Sequence, residues 1–221
     1  VLNEIEWCVS PNYGPVCGLA SDTAIFRRVK AGELWEPEIV VRFPELIRPG
    51  SIAIDAGANI GLHSIAMAAR QPEVKQVIAF EPHPEIFRCL INNTTAWPMI
   101  LPLNKGLGRE AATLSMQHLN GTTNPAGAIV SAAGKGPHPV ELVPLDSLPL
   151  SDVSLIKIDV EGMEMAMLAG AMNLLKRERP ALIVEILNDL GRRQDKIDWL
   201  CSLGYSAEPL NPEDVLFTPL S

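Results

Sequence analysis

Asp55-Ala56-Gly57-Ala58-Asn59-Ile60-Gly61 decides the fold of this chain through what stands on either side of it. Ile52-Ala53-Ile54 before it is a short apolar run suited to a buried strand, and residues 62–69 after it carry apolar positions at helical spacing. Strand, glycine turn and helix in that order predict a loop where backbone meets ligand. Gly57 and Gly61 permit close approach, and a helix start offers unpaired N–H groups and a positive dipole end. The spacing is not G-x-G-x-x-G, because Asn59 stands where a second glycine would be and Leu62 follows Gly61. Asn tolerates left-handed backbone, so a tight turn survives.

Outward from that loop the same unit repeats. A strand over 76–80, the turn Glu81-Pro82-His83-Pro84, a helix over 85–92 and a strand over 99–103 follow. The rhythm returns with a strand over 155–158, the turn Asp159-Val160-Glu161-Gly162, a helix from Met163 to Arg177 stopped by Pro180, and a strand over 181–184. A helix over 194–203 and two strands, 205–210 and 215–218, close the chain; the four residues between those strands predict an antiparallel edge pair. The expected fold is α/β, a doubly wound, mostly parallel sheet in a single domain over 1–221. Residues 1–50 read as an N-terminal lid or shoulder, with helical spacing over 38–47 despite Pro44. Residues 108–150 read as an insertion holding a β-hairpin, from alternation at 112–117 and 140–143 and the turn signal Asn120-Gly121.

Composition excludes several classes. With 221 residues, 47% hydrophobic and 20% charged, the chain is an ordinary globular one. A net charge of −8, basic residues only in short clusters and 5% aromatics argue against nucleic acid as a partner. No stretch is long enough to span a membrane and no signal-peptide pattern opens the chain, so no membrane partner and a cytoplasmic location are expected. Cys8, Cys17, Cys89 and Cys201 are widely spaced and read as reduced thiols. The four histidines show no metal-binding spacing.

Asp55, at a strand end, can accept from an ammonium but would repel a pyrophosphate. Glu81, 26 residues later at the end of the next strand, can accept both hydroxyls of a ribose. The pair implies adenosine with a zwitterionic tail; the plainer alternative is that both acids cap helices.

The glycine loop, Phe80-Glu81-Pro82-His83-Pro84, Leu145-Asp146-Ser147-Leu148, Lys157-Ile158-Asp159-Val160-Glu161-Gly162-Met163-Glu164 and Leu168-Ala169-Gly170-Ala171 together resemble the FkbM family of methyltransferases, over residues 33 to 219. The resemblance implies the class I methyltransferase sheet, S-adenosylmethionine as cofactor, and O-methylation of a hydroxyl on a small-molecule or glycosidic acceptor. By position it implies that Asp55, Gly57, Asn59 and Gly61 form the methionine-side loop and that Glu81 reads the ribose. Asn104 falls where such folds approach the adenine, and Glu36 in Leu34-Trp35-Glu36-Pro37 matches a short acidic motif before the first strand. His63 matches no essential role.

Asp159, Glu161 and Glu164 cluster after a strand beside the expected switch point of the sheet, where open α/β sheets bind ligands. Glu185 ends the neighbouring strand, with Asn188 and Asp189 behind it. Asp159, Glu161 and Glu185 are the candidate catalytic residues. Three roles compete for this cluster: a general base for the acceptor hydroxyl, a carboxylate metal site, or helix capping. Met163, Met165, Met167 and Met172 span more than one helix face, which favours core filling over a cofactor box. Trp35 and Trp97 can line a pocket or simply pack. A nicotinamide dehydrogenase and a non-catalytic cofactor-binding subunit are the rival functions. The missing dinucleotide spacing and the acid at Asp55 count against the first.

Overall fold

The computed structural model describes residues 4–118, 128–131, 138–187 and 191–220. The described residues begin with an antiparallel hairpin, β1 (Ile5–Ser10) and β2 (Gly14–Leu19), within the segment expected as a lid or shoulder. Asp22 then starts α1 (Ile25–Lys30): its carboxylate accepts from the backbone N–H groups of Ala24, Ile25 and Phe26 at 2.8–3.1 Å. The helical pattern over 38–47 is two short helices, α2 (Pro37–Val40) and α3 (Phe43–Leu46). Both carry proline in the first turn, where its missing N–H costs nothing, so Pro44 starts a helix rather than interrupting one.

Two strand–helix units and a third strand come next: β3 (Ile52–Ala56), α4 (Leu62–Arg70), β4 (Gln76–Phe80), α5 (Pro84–Thr94) and β5 (Ile100–Leu103). After β6 (Gly106–Leu107) the insertion holds β7 (Ala112–His118), β8 (Ala128–Ser131) and β9 (His138–Val143). The chain then returns through β10 (Val153–Ile158), α6 (Glu164–Ala169), α7 (Met172–Glu178), β11 (Ala181–Glu185), α8 (Arg193–Ser202), β12 (Tyr205–Pro209) and β13 (Asp214–Pro219).

The main sheet runs β12-β13-β11-β10-β3-β4-β5, parallel except for β13. Side chains alternate between two cores, as strand pleating requires. Ala53, Val77, Ala79 and Leu155 face the layer of α4, α5 and the N-terminal hairpin. Ile54, Ile78, Phe80, Ile156 and Ile158 face α6, α7 and α8. The closing strands pair antiparallel as expected, but only β12 is at the edge; β13 lies between β12 and β11. Side chains explain the order, since Val215-Leu216-Phe217 is apolar on both faces and fully buried, whereas β12 buries only Tyr205.

Two further differences have local causes. The insertion is more than a hairpin: its three strands join β6, just before it, in a second sheet of order β6-β9-β7-β8, with β7 antiparallel to both β8 and β9. Asn120-Gly121 lies outside the described residues, as do Asn188 and Asp189. The helix expected from Met163 to Arg177 is broken at Gly170-Ala171, where backbone presses on backbone: a Cβ on Gly170 would lie 2.0 Å from the Gly108 carbonyl oxygen. Asp146 clamps the break. Its N–H donates to the Gly170 carbonyl at 2.9 Å, and its carboxylate caps α7 by accepting from the N–H groups of Asn173 (2.9 Å) and Leu174 (2.8 Å). Leu145-Asp146-Ser147-Leu148 is therefore a structural joint. Among the described residues, no helix is long and apolar enough to cross a membrane.

Candidate functional site

From β3 the sheet grows one way through β4 and β5, and from β10 the other way through β11. Parallel neighbours β3 and β10 are thus the topological switch point, and the loops leaving them bound a crevice. The Asp159 N–H donates to the Ala56 carbonyl at 3.0 Å, which brings the two loops together. Gly57 (φ +80°) leaves no room for a side chain there, because a Cβ would lie 1.7 Å from the Asp159 carbonyl oxygen. The N–H groups of Gly57 and Ala58 both donate to the Phe80 carbonyl, tying the loop to the end of β4. Above it opens a cavity, continuous with solvent at its mouth, whose empty space including that mouth is about 940 Å³.

Of the six expected cofactor residues, Gly57, Asn59 and Glu81 line this cavity. Asn59 is left-handed (φ 51°), and its N–H donates to Glu81 Oε2 at 3.0 Å; the His83 N–H donates to Glu81 Oε1 at 2.7 Å. Glu81 is only 5% exposed, and burial pushes its pKa up to about 7 against the pull of those two donors. Asn104, Asp55 and Gly61 lie outside that lining. The Asn104 amide donates to the carbonyls of Glu81 (2.9 Å) and Pro82 (3.1 Å), fixing the segment that carries Glu81. Asp55 is fully buried: Ser64 Oγ donates to its Oδ2 at 2.6 Å, while Oδ1 has no partner. Gly61 (φ +91°) starts α4 under Leu90.

The acid cluster divides. Asp159 and Glu161 line the cavity. Glu161 (φ 49°) and Gly162 (φ +87°) are consecutive left-handed residues, and a non-glycine held there stores strain of the kind found at functional sites. Burial, then Asp159 and Glu164, push the Glu161 pKa up to about 7. Glu185, outside the cavity lining, is pushed to about 9 by burial and then by Asp159 and Glu161. Glu164 takes the capping role: its Oε1 accepts from the Gly162 N–H at 2.8 Å. Among the described residues, no group of three or more His, Cys, Asp or Glu side chains is arranged to hold a metal ion.

Sequence reading gave no role to two residues that the structure places at the site. Lys157, 2% exposed, lines the cavity with Nζ 2.9 Å from Asp159 Oδ2. Burial pulls its pKa down, but Asp159, Asp55 and Glu36 outweigh that and hold it above the ordinary value. A lysine within the apolar run Leu155-Ile156-Lys157-Ile158 was the available signal, since unpaired lysines are almost never fully buried. His63 also lines the cavity, edge-on to Phe43, with Nε2 3.3 Å from Glu36 Oε2. That distance suits an ion pair, yet the geometry makes no hydrogen bond. Burial, with Lys157 adding to it, drives the His63 pKa well below its usual value, so the imidazole is neutral and the contact is not an ion pair. Glu36, itself left-handed (φ 43°), is pushed up to about 7, chiefly by burial.

Trp35 lines the cavity with the Arg28 guanidinium 5.0 Å from its ring centre, whereas Trp97 packs on the core. Met167, Met165 and Met172 fill core; Met163 lines the cavity.

The raised carboxyls make a stability forecast. Glu36, Glu81, Glu161 and Glu185 hold protons in the folded state that the unfolded chain releases near pH 4.5. Their contribution is full below that pH and is lost as pH rises through about 7 and on towards 9. His63 has the opposite sign, but only below its unfolded value of 6.5. Thermal melts of the ligand-free protein should therefore show Tm falling from pH 6.5 to 9; a rising Tm would mean that these acids are ionised in the folded state.

A doubly wound sheet, a glycine loop without dinucleotide spacing and an acid ending the next strand define a class I methyltransferase. The chain belongs to the FkbM methyltransferase family: the model of the methyltransferase FkbM domain matches residues 55–207. Hexuronic acid methyltransferase AglP of Haloferax volcanii is 30% identical over 193 residues, covering 80% of this chain and 74% of that protein. Methyltransferase 1 of Beauveria bassiana is 30% identical over 158 residues, 59% of this chain and 61% of its own. The crystal structure of methyltransferase FkbM from Methylobacillus flagellatus shares the fold, with a TM-score of 0.55 at 17% identity over 80% of this chain; the match spans 50% of that longer chain. The protein is thus a methyltransferase, and the dehydrogenase reading falls.

Proposed function

We propose that this methyltransferase uses S-adenosylmethionine to methylate a hydroxyl oxygen on a small-molecule or glycosidic acceptor, with a sugar as the first class to test. Glu81 carries the reading: a buried acid at the end of β4, fixed by two backbone donors and by the Asn104 clamp, facing the cavity. It would accept from the ribose hydroxyls, while Pro82 and Leu107 wall the base. Gly57, Asn59 and the start of α4 would hold the amino-acid end, and the partnerless buried Asp55 Oδ1 and His63 Nε2 leave polar capacity beside it. Bound there, the sulfonium of the cofactor supplies an electrophilic methyl group. Glu161 would take the acceptor's hydroxyl proton, Asp159 would orient that hydroxyl, and Glu185 would stand behind both. A sugar acceptor is favoured by the hexuronic acid activity in the name of the Haloferax relative. The four thiols are free, as suits a reducing, cytoplasmic setting.

Incubation with methyl-labelled S-adenosylmethionine and a panel of uronates and neutral glycosides should place label in a glycoside. Intact cofactor binding with no labelled glycoside would overturn the sugar assignment. Glu81→Ala should weaken cofactor affinity by roughly 1.5–3 kcal/mol, the usual worth of a hydrogen bond to a charged group. Calorimetry that finds unchanged affinity in the folded variant removes Glu81 from the cofactor site.

A further inference from the structure

Lys157 is the only charged residue of β10, and it is buried where a sheet core has no need of charge. Its nearest strand partners are Asp55 on β3 and Ile183 on β11. Around its ammonium stand Asp159 beyond its own strand, Asp55 from β3, Glu36 from the start of α2, His63 from α4 and Asp214 from β13. Glu161 and Glu185 lie within its electrostatic reach. A buried ion pair is weak evidence of a stability role, since well-packed apolar residues of similar volume often serve as well or better. The Nζ atom is also directed at the cavity wall rather than into the core, because its partner at 2.9 Å is the cavity-lining Asp159.

We propose that Lys157 is a positioning residue: its ammonium fixes the Asp159 carboxylate at the acceptor side of the cavity and supplies the positive charge around which Asp55, Glu36, Glu161 and Glu185 are assembled. This rests on the acceptor-side reading of Asp159 and Glu161 above. Physical support comes from direction. Lys157 lowers the pKa of Glu36, Asp55, Glu161, Glu185 and Asp214 alike, against the burial that raises each of them. Removing the ammonium leaves burial and mutual repulsion unopposed, so every one of these acids moves further up. Asp159 also loses the contact that aims it, and misplacement on the order of 1 Å costs about 10²-fold in rate.

The test is Lys157→Met, read by turnover of a glycoside that the wild type methylates, by calorimetry with S-adenosylhomocysteine, and by ¹³C NMR titration of Glu161 in the ligand-free protein. We expect kcat at pH 7 to fall by about 10²-fold. The acidic limb of the rate profile and the Glu161 titration should both move up by about one pH unit. Because burying the acids without their cation can unfold the protein, Lys157→Met with Asp159→Asn removes both charges and serves as the second variant. It should fold and remain slow. A folded Lys157→Met with wild-type kcat and an unmoved Glu161 titration overturns the proposal. So does a double variant that regains full rate along with stability, which would make Lys157 a structural cation only. If the wild type turns over no glycoside, the acceptor reading fails instead, and the NMR titration still tests Lys157.

Discussion

Gly57→Ala is expected to abolish cofactor binding and to destabilise the protein severely, because the added methyl group has nowhere to go. Its Cβ would fall 1.7 Å from the Asp159 carbonyl oxygen and 2.8 Å from the carbonyl carbon. Both are backbone atoms, in a chain held to β3 by the bond from the Asp159 N–H to the Ala56 carbonyl. Relief requires either the glycine loop to lift away from Phe80, to which it is bonded twice, or the ends of β3 and β10 to part. Either movement destroys the floor of the cavity. A left-handed backbone on a residue with a side chain adds roughly 1–2 kcal/mol before any clash is counted. Gly162→Ala is the control. It too has a positive φ (+87°), but a Cβ there meets nothing within 4 Å, so it should carry the conformational cost alone. Denaturant unfolding and S-adenosylhomocysteine calorimetry on the pair should separate them widely. Similar modest losses in both would mean that the loops after β3 and β10 are not in close approach.

That close approach marks where sequence reading stops. The loop Asp55 to Gly61, the strands over 76–80 and 181–184 and the acids at strand ends were legible because each depends on local pattern: apolar runs, glycines and turn residues. The seating of β13 inside the sheet was harder, although Val215-Leu216-Phe217, apolar on successive positions, is the signature of a strand buried on both faces. The break at Gly170 was not legible, because its cause is Gly108, far away in sequence. The same holds at the site. Asp55 reads as a ligand-facing acid from its strand-end position, yet it is fully buried behind the loop with Ser64 as its partner. Asn104 reads as a residue near the adenine, and its grip on the backbone at Glu81 and Pro82 is not legible from its position. His63 and Glu36 stand far apart along the chain and meet only through folding. Sequence position tells which strand end a residue occupies; which way its side chain turns is decided by packing from other elements.

Direction is also what separates the candidate bases, and it makes Glu161→Gln the most informative rate measurement. Asp159 is engaged by Lys157 at 2.9 Å, and Glu185 is not among the cavity-lining residues, whereas Glu161 lines the cavity with its pKa pushed up to about 7 by burial and by Asp159 and Glu164. A base is most effective when its pKa lies near the working pH, and general-base catalysis typically contributes about 10²–10⁴-fold. Glu161→Gln keeps the shape and removes the base, so single-turnover methyl transfer should slow by that order while cofactor affinity stays the same. In the wild type the rate should rise with pH through about 7, as Glu161 gives up its proton, and that acidic limb should be missing from the Gln variant. Asp159→Asn makes a forecast of different shape. Because Asp159 raises both Glu161 and Glu185, deleting its charge lowers them, so the acidic limb should survive and move to lower pH while the rate falls through lost orientation of the hydroxyl. Glu161 raises Glu185, so these two carboxyls titrate as an interacting pair, and the direction in which the limb shifts is the diagnostic. A Glu161→Gln enzyme that keeps wild-type rates and an unchanged limb would pass the base role to Asp159 or to water. A limb that disappears in Asp159→Asn but persists in Glu161→Gln would assign it to Asp159 outright.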